Sequence, residues 1–230
     1  MQHPRSSRTH RGFSAVEVVI SAAILLTVYA TIARGFASSG GASQFVGANL
    51  QVALTGTVRR IAAELERGEL DAQAADGASL AYQFPVDPDG DGSFFDATGA
   101  VQWGMEVGGA DVAGARATVA FVTDQVLDEA ALGADVNGDG DQVDRFDRGH
   151  LVRSLPDGSS VSLTGAWILQ PTGAHGGDVT GDLVPDPIFS TNTANPRKLA
   201  SIDVTGAVVG LGNQWIRVRL TRTVCARNDT

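Results

Sequence analysis

Three short acidic stretches place oxygen-bearing side chains at alternating positions around a glycine. Each contains an aspartate, any residue, an oxygen donor, a glycine and a second aspartate, at residues 87–91, 135–139 and 178–182. A hard cation such as Ca²⁺ takes 6–8 oxygen ligands, and a glycine allows the sharp turn that brings successive side chains to one point. The sequence therefore predicts one to three calcium sites in these loops.

The candidate ligands include carboxylates that follow each stretch. They are Asp87, Asp89, Asp91 and Asp96 for the first site, Asp135, Asn137, Asp139, Asp144 and Asp147 for the second, and Asp178, Thr180, Asp182 and Asp186 for the third. The loops resemble the calcium loops of EF-hands, dockerins and thrombospondin type 3 repeats. An EF-hand has a bidentate Glu at position 12, where these loops have Thr98 and Phe146, so they are not EF-hands proper. Asp-Gly and Asn-Gly sequences also favour turns without any metal, which is the alternative interpretation.

A second group of informative residues lies at the N-terminus. Met1–Gly12 is polar and basic, and the apolar run Phe13–Ala33 that follows it carries one charge, Glu17. A helix of this length spans a hydrocarbon core of about 30 Å, and the arginines before it predict that the N-terminus stays in the cytoplasm. A carboxylate inside such a run is tolerated only with a partner, so Glu17 is a candidate functional residue.

Together, the basic leader, Gly12, Phe13 and Glu17 resemble the prepilin signature of type IV pilins and type II secretion pseudopilins. The resemblance implies cleavage by the prepilin peptidase between Gly12 and Phe13. It also implies that Glu17 neutralises the new amino terminus, in the same or a neighbouring subunit, during assembly. The expected location is the bacterial inner membrane, single-pass, with a cytoplasmic N-terminus and a periplasmic or extracellular head, and then a pilus or pseudopilus. A signal anchor with an accidental glutamate is the alternative.

The rest of the chain predicts one further helix and several strands. Val46, Leu50, Leu54, Val58, Ile61 and Leu65 recur at helical spacing, so they mark one apolar helix face. Beyond Gly68, strands are predicted at 79–86, 101–107, 115–123, 150–155, 160–169, 199–209 and 214–224, with a short helix within 123–133.

The expected fold class is α+β, in the form of a pilin fold. A long N-terminal helix, made of a transmembrane half and an amphipathic half, packs on an antiparallel β-sheet head with long loops. The predicted segments are a leader peptide at 1–12, a transmembrane and assembly helix at 13–34, its amphipathic continuation at 35–68, and an extracytoplasmic head at 69–230.

Composition and missing motifs exclude several other functions. The formal net charge of −9 leaves no basic patch for nucleic acid. Cys225 is the only cysteine, so no internal disulfide can stabilise the head, and calcium would do so instead. Nucleotide-binding, hydrolase and metalloprotease motifs are missing, so we expect neither an enzyme nor a small-molecule substrate.

These expectations combine into a structural minor pilin or pseudopilin subunit with a calcium-stabilised head. Its partners are other pilin or pseudopilin subunits, the prepilin peptidase and the inner membrane. The alternative is a membrane-anchored or secreted calcium-dependent binding or adhesion module that does not assemble.

Overall fold

The computed structural model describes residues 15–38, 41–73, 77–170, 186–192, 199–210 and 214–226. The chain divides into two compact units, residues 1–44 and 45–230. The helices of the described ranges are α1 (Ala15–Ser38), α2 (Gly41–Leu65) and α3 (Glu129–Leu132). Helix α1 lies in the first unit, whereas α3 and the part of α2 from Phe45 onward lie in the second.

The described residues of the second unit form an antiparallel sheet of eleven strands. The strands are β1 (Glu69–Gln73), β2 (Ser79–Pro85), β3 (Trp103–Val107), β4 (Ala110–Ala113), β5 (Ala117–Asp128), β6 (Arg145–Ser154), β7 (Ser160–Ser162), β8 (Ile168–Gln170), β9 (Phe189–Thr191), β10 (Leu199–Val209) and β11 (Trp215–Cys225). The order across the sheet is β11-β10-β8-β6-β5-β2-β3-β4, with β1 beside β2, β7 beside β6 and β9 beside β10. Strands β11 and β4 therefore form the two ends of the sheet.

One face of the sheet is covered by α2. The buried residues of α2 recur every three or four positions, which places them on one side of the helix. They are Leu50, Leu54, Val58, Ile61, Ala62 and Leu65, and they pack with strand residues in one apolar core. In β10, Gly206 permits the close approach of the helix, because a Cβ there would lie only 3.0–3.2 Å from atoms of Leu54, Leu50 and Trp167.

A polar group of three side chains also joins α2 to the sheet. The Tyr82 hydroxyl donates to Glu64 Oε2 at 2.6 Å, and Arg153 Nη1 lies 2.7 Å from Glu64 Oε1. Burial and the neighbouring Glu64 carboxylate raise the pKa of Tyr82, so its hydroxyl stays protonated and donates. Because an unpaired polar group is costly in such a position, these contacts fix one orientation of α2 on the sheet.

A second, smaller apolar cluster lies on the opposite face of the sheet. Successive strand residues point to opposite faces, so Ala207 faces away from α2 when Gly206 faces toward it. The buried members of the cluster are Leu127, Val136, Phe146, Leu169 and Ala207, with Trp215 packed against them. Val136 belongs to the second acidic stretch, which is therefore anchored to the sheet by an apolar side chain.

The expected α+β pilin fold is wrong. The described residues form mainly an antiparallel sheet of eleven strands, and no helix among them supplies the predicted long apolar half. Segments expected as loops pair as strands instead, namely β1 with β2, β4 with β3 and β9 with β10. Strand β5 also continues to Asp128, so the helix expected within 123–133 is reduced to α3.

The predicted membrane anchor is contradicted as well. A helix needs about 20 consecutive apolar residues to cross a bilayer. No helix in the described ranges combines the necessary length with the necessary apolar character. In α1, the apolar sequence is interrupted by Thr27, Thr31 and Arg34, and both threonine hydroxyls donate to the carbonyl four residues earlier. The transmembrane helix predicted at 13–34, and the single-pass inner-membrane location derived from it, are therefore wrong.

Candidate metal centre

The first acidic stretch, which we call loop 1 (residues 87–92), follows β2 and folds back on its first aspartate. Asp87 Oδ1 accepts the N–H of Gly90 at 2.8 Å, and Asp87 Oδ2 accepts the N–H of Gly92 at 2.7 Å. Both glycines have positive φ, 72° and 83°, a conformation that side chains disfavour. The glycines therefore allow the backbone to turn around the Asp87 carboxylate.

The second stretch, loop 2 (residues 135–144), begins with the same fold. Asp135 accepts the N–H groups of Gly138 and, at 3.1 Å, of Gly140, and these glycines have φ of 75° and 102°. In both loops, the aspartate at the fifth position accepts the N–H two residues later, from Ser93 in loop 1 and from Asp141 in loop 2. The sequence pattern thus gives the same local structure twice.

Each loop contributes to a cluster of three carboxylates. Asp87, Asp89 and Asp91 form the first cluster, and Glu129, Asp141 and Asp144 form the second. Within each cluster, one carboxylate oxygen of every member lies within 4.8 Å of the others. Two oxygens bound to one Ca²⁺ at 2.3–2.6 Å are at most about 5 Å apart, so both clusters fit this ion in donor type and spacing. The remaining ligands would come from other loop oxygens and water.

Glu129 and Asp141 are members of the second cluster that the candidate ligands from the sequence do not include, and Glu129 lies outside every acidic stretch. Glu129 lies in the first turn of α3, outside loop 2, and is fully buried. Its Oε1 accepts the N–H groups of Val136 and Asn137, and its Oε2 accepts the N–H of Asp144 at 3.2 Å. Glu129 thus holds the two ends of loop 2 together. The only signal for it in the sequence is Asp128 just before it, which caps α3 by accepting the N–H of Ala131.

The second cluster is crowded with negative charge. Burial raises the pKa of Glu129, although three backbone N–H groups favour its charged form. Burial also raises the pKa of Asp144, with further contributions from the charges of Asp139 and Asp141. The amide of Asn137 donates to Asp139 Oδ2 at 2.9 Å and to Asp144 Oδ2 at 2.8 Å, which offsets part of this repulsion. A bound cation would offset more of it.

The first cluster shows the same effect in a more exposed setting. The pKa of Asp89 is raised, first by the hydrogen bond that its carboxyl group shares with Asp87 and then by burial and the charge of Asp91. The carboxylate oxygens of this cluster lie close enough to one another to bind a single cation.

Other predicted ligands lie outside the two clusters. Asp96 accepts the hydroxyl of Thr98 at 2.6 Å and backbone N–H groups of its own turn. Asp147 lies in β6, opposite Val126 of β5. Asp186 forms an ion pair with Arg219 at 3.0 Å.

Several predicted site residues lie outside the described residues or have only their backbone described. The former are Asp178, Thr180 and Asp182 of the third stretch and Gly12 and Phe13 of the predicted cleavage site. The backbone of Glu17 lies in α1.

Comparison with known proteins adds no assignment. No protein-family model, curated protein or solved structure matches this chain. The two carboxylate clusters and the surface of α1 are therefore the features from which a function can be argued.

Proposed function

We propose that the chain is a structural, non-enzymatic subunit that assembles through its N-terminal helix into a filament of the type IV pilus or pseudopilus kind. In this proposal the head is stabilised by calcium at the two carboxylate clusters. The partners are neighbouring subunits, and the prepilin peptidase prepares the N-terminus.

The exposed surface of α1 is the observation that carries this proposal. Eight large residues in its described part are each more than half exposed: Val19, Ile20, Ile24, Leu25, Leu26, Val28, Tyr29 and Ile32. At 3.6 residues per turn they are distributed around the whole helix. Large apolar side chains exposed around a helix are normally covered, and similar helices of neighbouring copies would provide this cover in a filament.

The residues just before this apolar surface include Glu17, which would set the order of subunits during assembly. Glu17 lies in the first turn of α1, and the prepilin-like pattern would place a new amino group at Phe13. Among packed helices a carboxylate needs a cationic partner, and the amine of a neighbouring subunit would provide it. This pairing would fix the axial position of one subunit against the next.

Calcium has a defined structural role in the same proposal. Cys225 is the only cysteine of the chain, so the long loops of the head gain no internal disulfide. A cation at Glu129, Asp141 and Asp144 would join α3 to the end of loop 2 and stabilise the folded head by its binding free energy.

The test combines processing and assembly of the full chain. Produced with the prepilin peptidase and the other subunits of a filament system, the chain should yield a mature protein that starts at Phe13, measured by intact mass and N-terminal sequencing. Glu17→Ala should leave this cleavage unchanged and lower incorporation into filaments severalfold, whereas Asp157→Asn in an exposed turn of the head should lower neither. Unchanged incorporation of Glu17→Ala, or a mature start beyond Ala33, would contradict the proposal.

A calcium-dependent binding module that does not assemble is the second candidate. It is favoured by Phe94 and Phe95, two aromatic residues that are about half exposed close to loop 1. Exposed aromatic residues often contribute to binding surfaces. A chain that binds calcium but stays monomeric after processing would favour this candidate.

A further inference from the structure

Both ends of the sheet are unpaired among the described residues. Strand β11 pairs with β10 along its whole length, and β4 pairs with β3, but neither has a described strand on its other side. Alternate residues of such a strand direct their N–H and C=O groups outward. Each end of the sheet therefore presents a surface on which another strand can pair.

A groove with two arginines follows the free edge of β11. It has a volume of about 390 Å³. We call it the arginine groove, and it is lined by Thr55, Val58 and Arg59 of α2 and by Leu220, Thr221, Arg222 and Thr223 of β11. Four consecutive strand residues line it although they point alternately to opposite faces, so the groove lies along the edge of the strand.

The charge of the arginine groove is only weakly compensated. None of its lining residues is acidic. Arg222 Nη2 lies 3.3 Å from Glu66 Oε1, but both side chains are more than a third exposed. A pair of this kind has a small net interaction energy, so Arg222 can exchange Glu66 for another carboxylate.

The opposite end of the sheet is strongly acidic. Residues 87–113, which we call the acidic edge, include β4 and contain no lysine or arginine. Their carboxylates belong to Asp87, Asp89, Asp91, Asp96, Glu106 and Asp111. One divalent cation in loop 1 would leave this edge negative. It also exposes Phe94, Phe95 and Val112, apolar side chains that an association would cover.

We propose that β4 of one copy pairs with the outer edge of β11 of the next copy, within the arginine groove. The opposite charges select this partner, and the four residues of β4 match the four β11 residues that line the groove. The proposal rests on the proposed function and names the contact between neighbouring heads. Because the two surfaces differ, each copy retains one free end, and the contact extends into an open row of copies.

The other arginines of β11 restrict the contact to the groove. Arg217 lies against Gly138 of loop 2, whose carboxylates would repel an acidic strand. Arg219 is held between Asp186 and Asp203, at 3.0 and 2.6 Å. The pairing is therefore expected along Leu220–Thr223 and not along the first half of β11.

Cysteine cross-linking of the full chain in a non-ionic detergent tests this contact. Cys225 is exposed at the end of β11, and by itself it can link no more than two copies. The second thiol is added at one end of β4 by Ala110→Cys or at the other end by Ala113→Cys. The two variants together test both parallel and antiparallel pairing of β4 with β11. One of these variants should give a ladder of three and more copies on oxidation. Ser160→Cys in the exposed strand β7 is the control and should give no such ladder.

Charge reversal then distinguishes specific cross-linking at this contact from non-specific cross-linking by random collision. In the cross-linking variant, Arg59→Glu with Arg222→Glu should reduce the ladder roughly tenfold or more, and higher ionic strength should reduce it as well. Arg60→Glu is the matched control, because Arg60 lies next to Arg59 on α2 but lines a different cleft. Mixing the reversed-groove variant with a copy that carries Glu106→Lys and Val112→Lys should restore the ladder.

A ladder that persists after charge reversal, or that equals the Ser160→Cys control, would overturn the proposal. The proposal would also be overturned if the chain gave no ladder and charge reversal in the arginine groove changed the melting temperature of the monomer. That result would mean that a segment of the same chain occupies the groove. Leu25→Lys in α1 keeps the two proposals distinguishable. If Leu25→Lys abolishes incorporation into filaments but leaves the cross-linked ladder unchanged, both the proposed function and the contact between heads are supported. If the chain is incorporated into filaments but gives no ladder, only the proposed contact between heads is overturned.

Discussion

The substitution Asp141→Asn should reduce the stability that calcium adds to the head. Without a cation, the Asp141 carboxylate lies within 4.8 Å of those of Glu129 and Asp144. At this distance each repulsion amounts to about 1 kcal/mol in a water-like dielectric, and to more for the buried Glu129. Because Asn is uncharged, Asp141→Asn removes both repulsions and should raise the free energy of unfolding in a chelator by up to about 2 kcal/mol.

With calcium the substitution should remove part of the stabilisation that the bound ion adds. A site filled at about 100 times its Kd contributes about 2.7 kcal/mol, which is about 5–10 °C in the melting temperature of a domain of this size. Replacement of one carboxylate by an amide removes a charged ligand, and a tenfold loss of affinity would remove about 1.4 kcal/mol of this stabilisation. We therefore expect the calcium-dependent shift of Asp141→Asn to be several degrees smaller than that of the wild-type chain.

The assay is thermal unfolding of the full chain in detergent, followed by circular dichroism, in millimolar calcium and in excess chelator. Asp157→Asn is the matched control, since Asp157 accepts the N–H of Ser159 in an exposed turn outside both clusters. It should shift the melting temperature equally in both conditions. Equal melting temperatures of the wild-type chain in calcium and in chelator would refute the reasoning, as would a calcium-dependent shift of Asp141→Asn as large as that of the wild-type chain.

Two further predictions concern the packing of the head and are measured by urea unfolding. Glu64→Ala should cost about 2–3 kcal/mol, because it leaves the buried Tyr82 hydroxyl and the partly exposed Arg153 guanidinium without their partner, whereas Glu66→Ala in an exposed pair should cost less than about 1 kcal/mol. Gly138→Ala should cost more than Gly90→Ala. Both glycines have φ near +75°, which costs about 1 kcal/mol for alanine, but a Cβ at position 138 would also displace the Arg217 guanidinium, whereas position 90 is open. Equal costs within either pair would contradict the corresponding contact.

Local patterns in the sequence carried information about the strands because strand formation here follows side-chain alternation. The last strand, predicted at 214–224, is observed at 215–225, and the strand predicted at 199–209 has those bounds. The sequence carried less information about which strands pair with each other. Strand β4 has only four residues, without an apolar alternation that would reveal it, and its close approach to β3 leaves no room for a Cβ at Gly104.

The candidate metal centre was predictable only where its ligands are close in sequence. The first cluster consists of three donors that alternate along one short stretch, Asp87, Asp89 and Asp91, and the structure brings them together. In loop 2, the cluster instead contains Glu129, which reaches the site because β5 ends at Asp128 and α3 turns the chain back toward the loop. A ligand whose position depends on the path of the surrounding elements leaves no fixed spacing in the sequence.

The two loops share a local structure but differ in how they contact the core, and this difference sets what calcium can do at each. The second residue of loop 1 is Pro88, which is exposed, whereas the second residue of loop 2 is Val136, which is fully buried against the sheet. Val136 also donates its N–H to Glu129, so one residue joins the candidate metal centre to the second apolar cluster. Ordering of loop 2 by a cation therefore requires the packing of that cluster, and binding there is coupled to the stability of the sheet. Loop 1 has no such anchor, so a cation bound there would order the surface of the acidic edge and contribute less to the stability of the core.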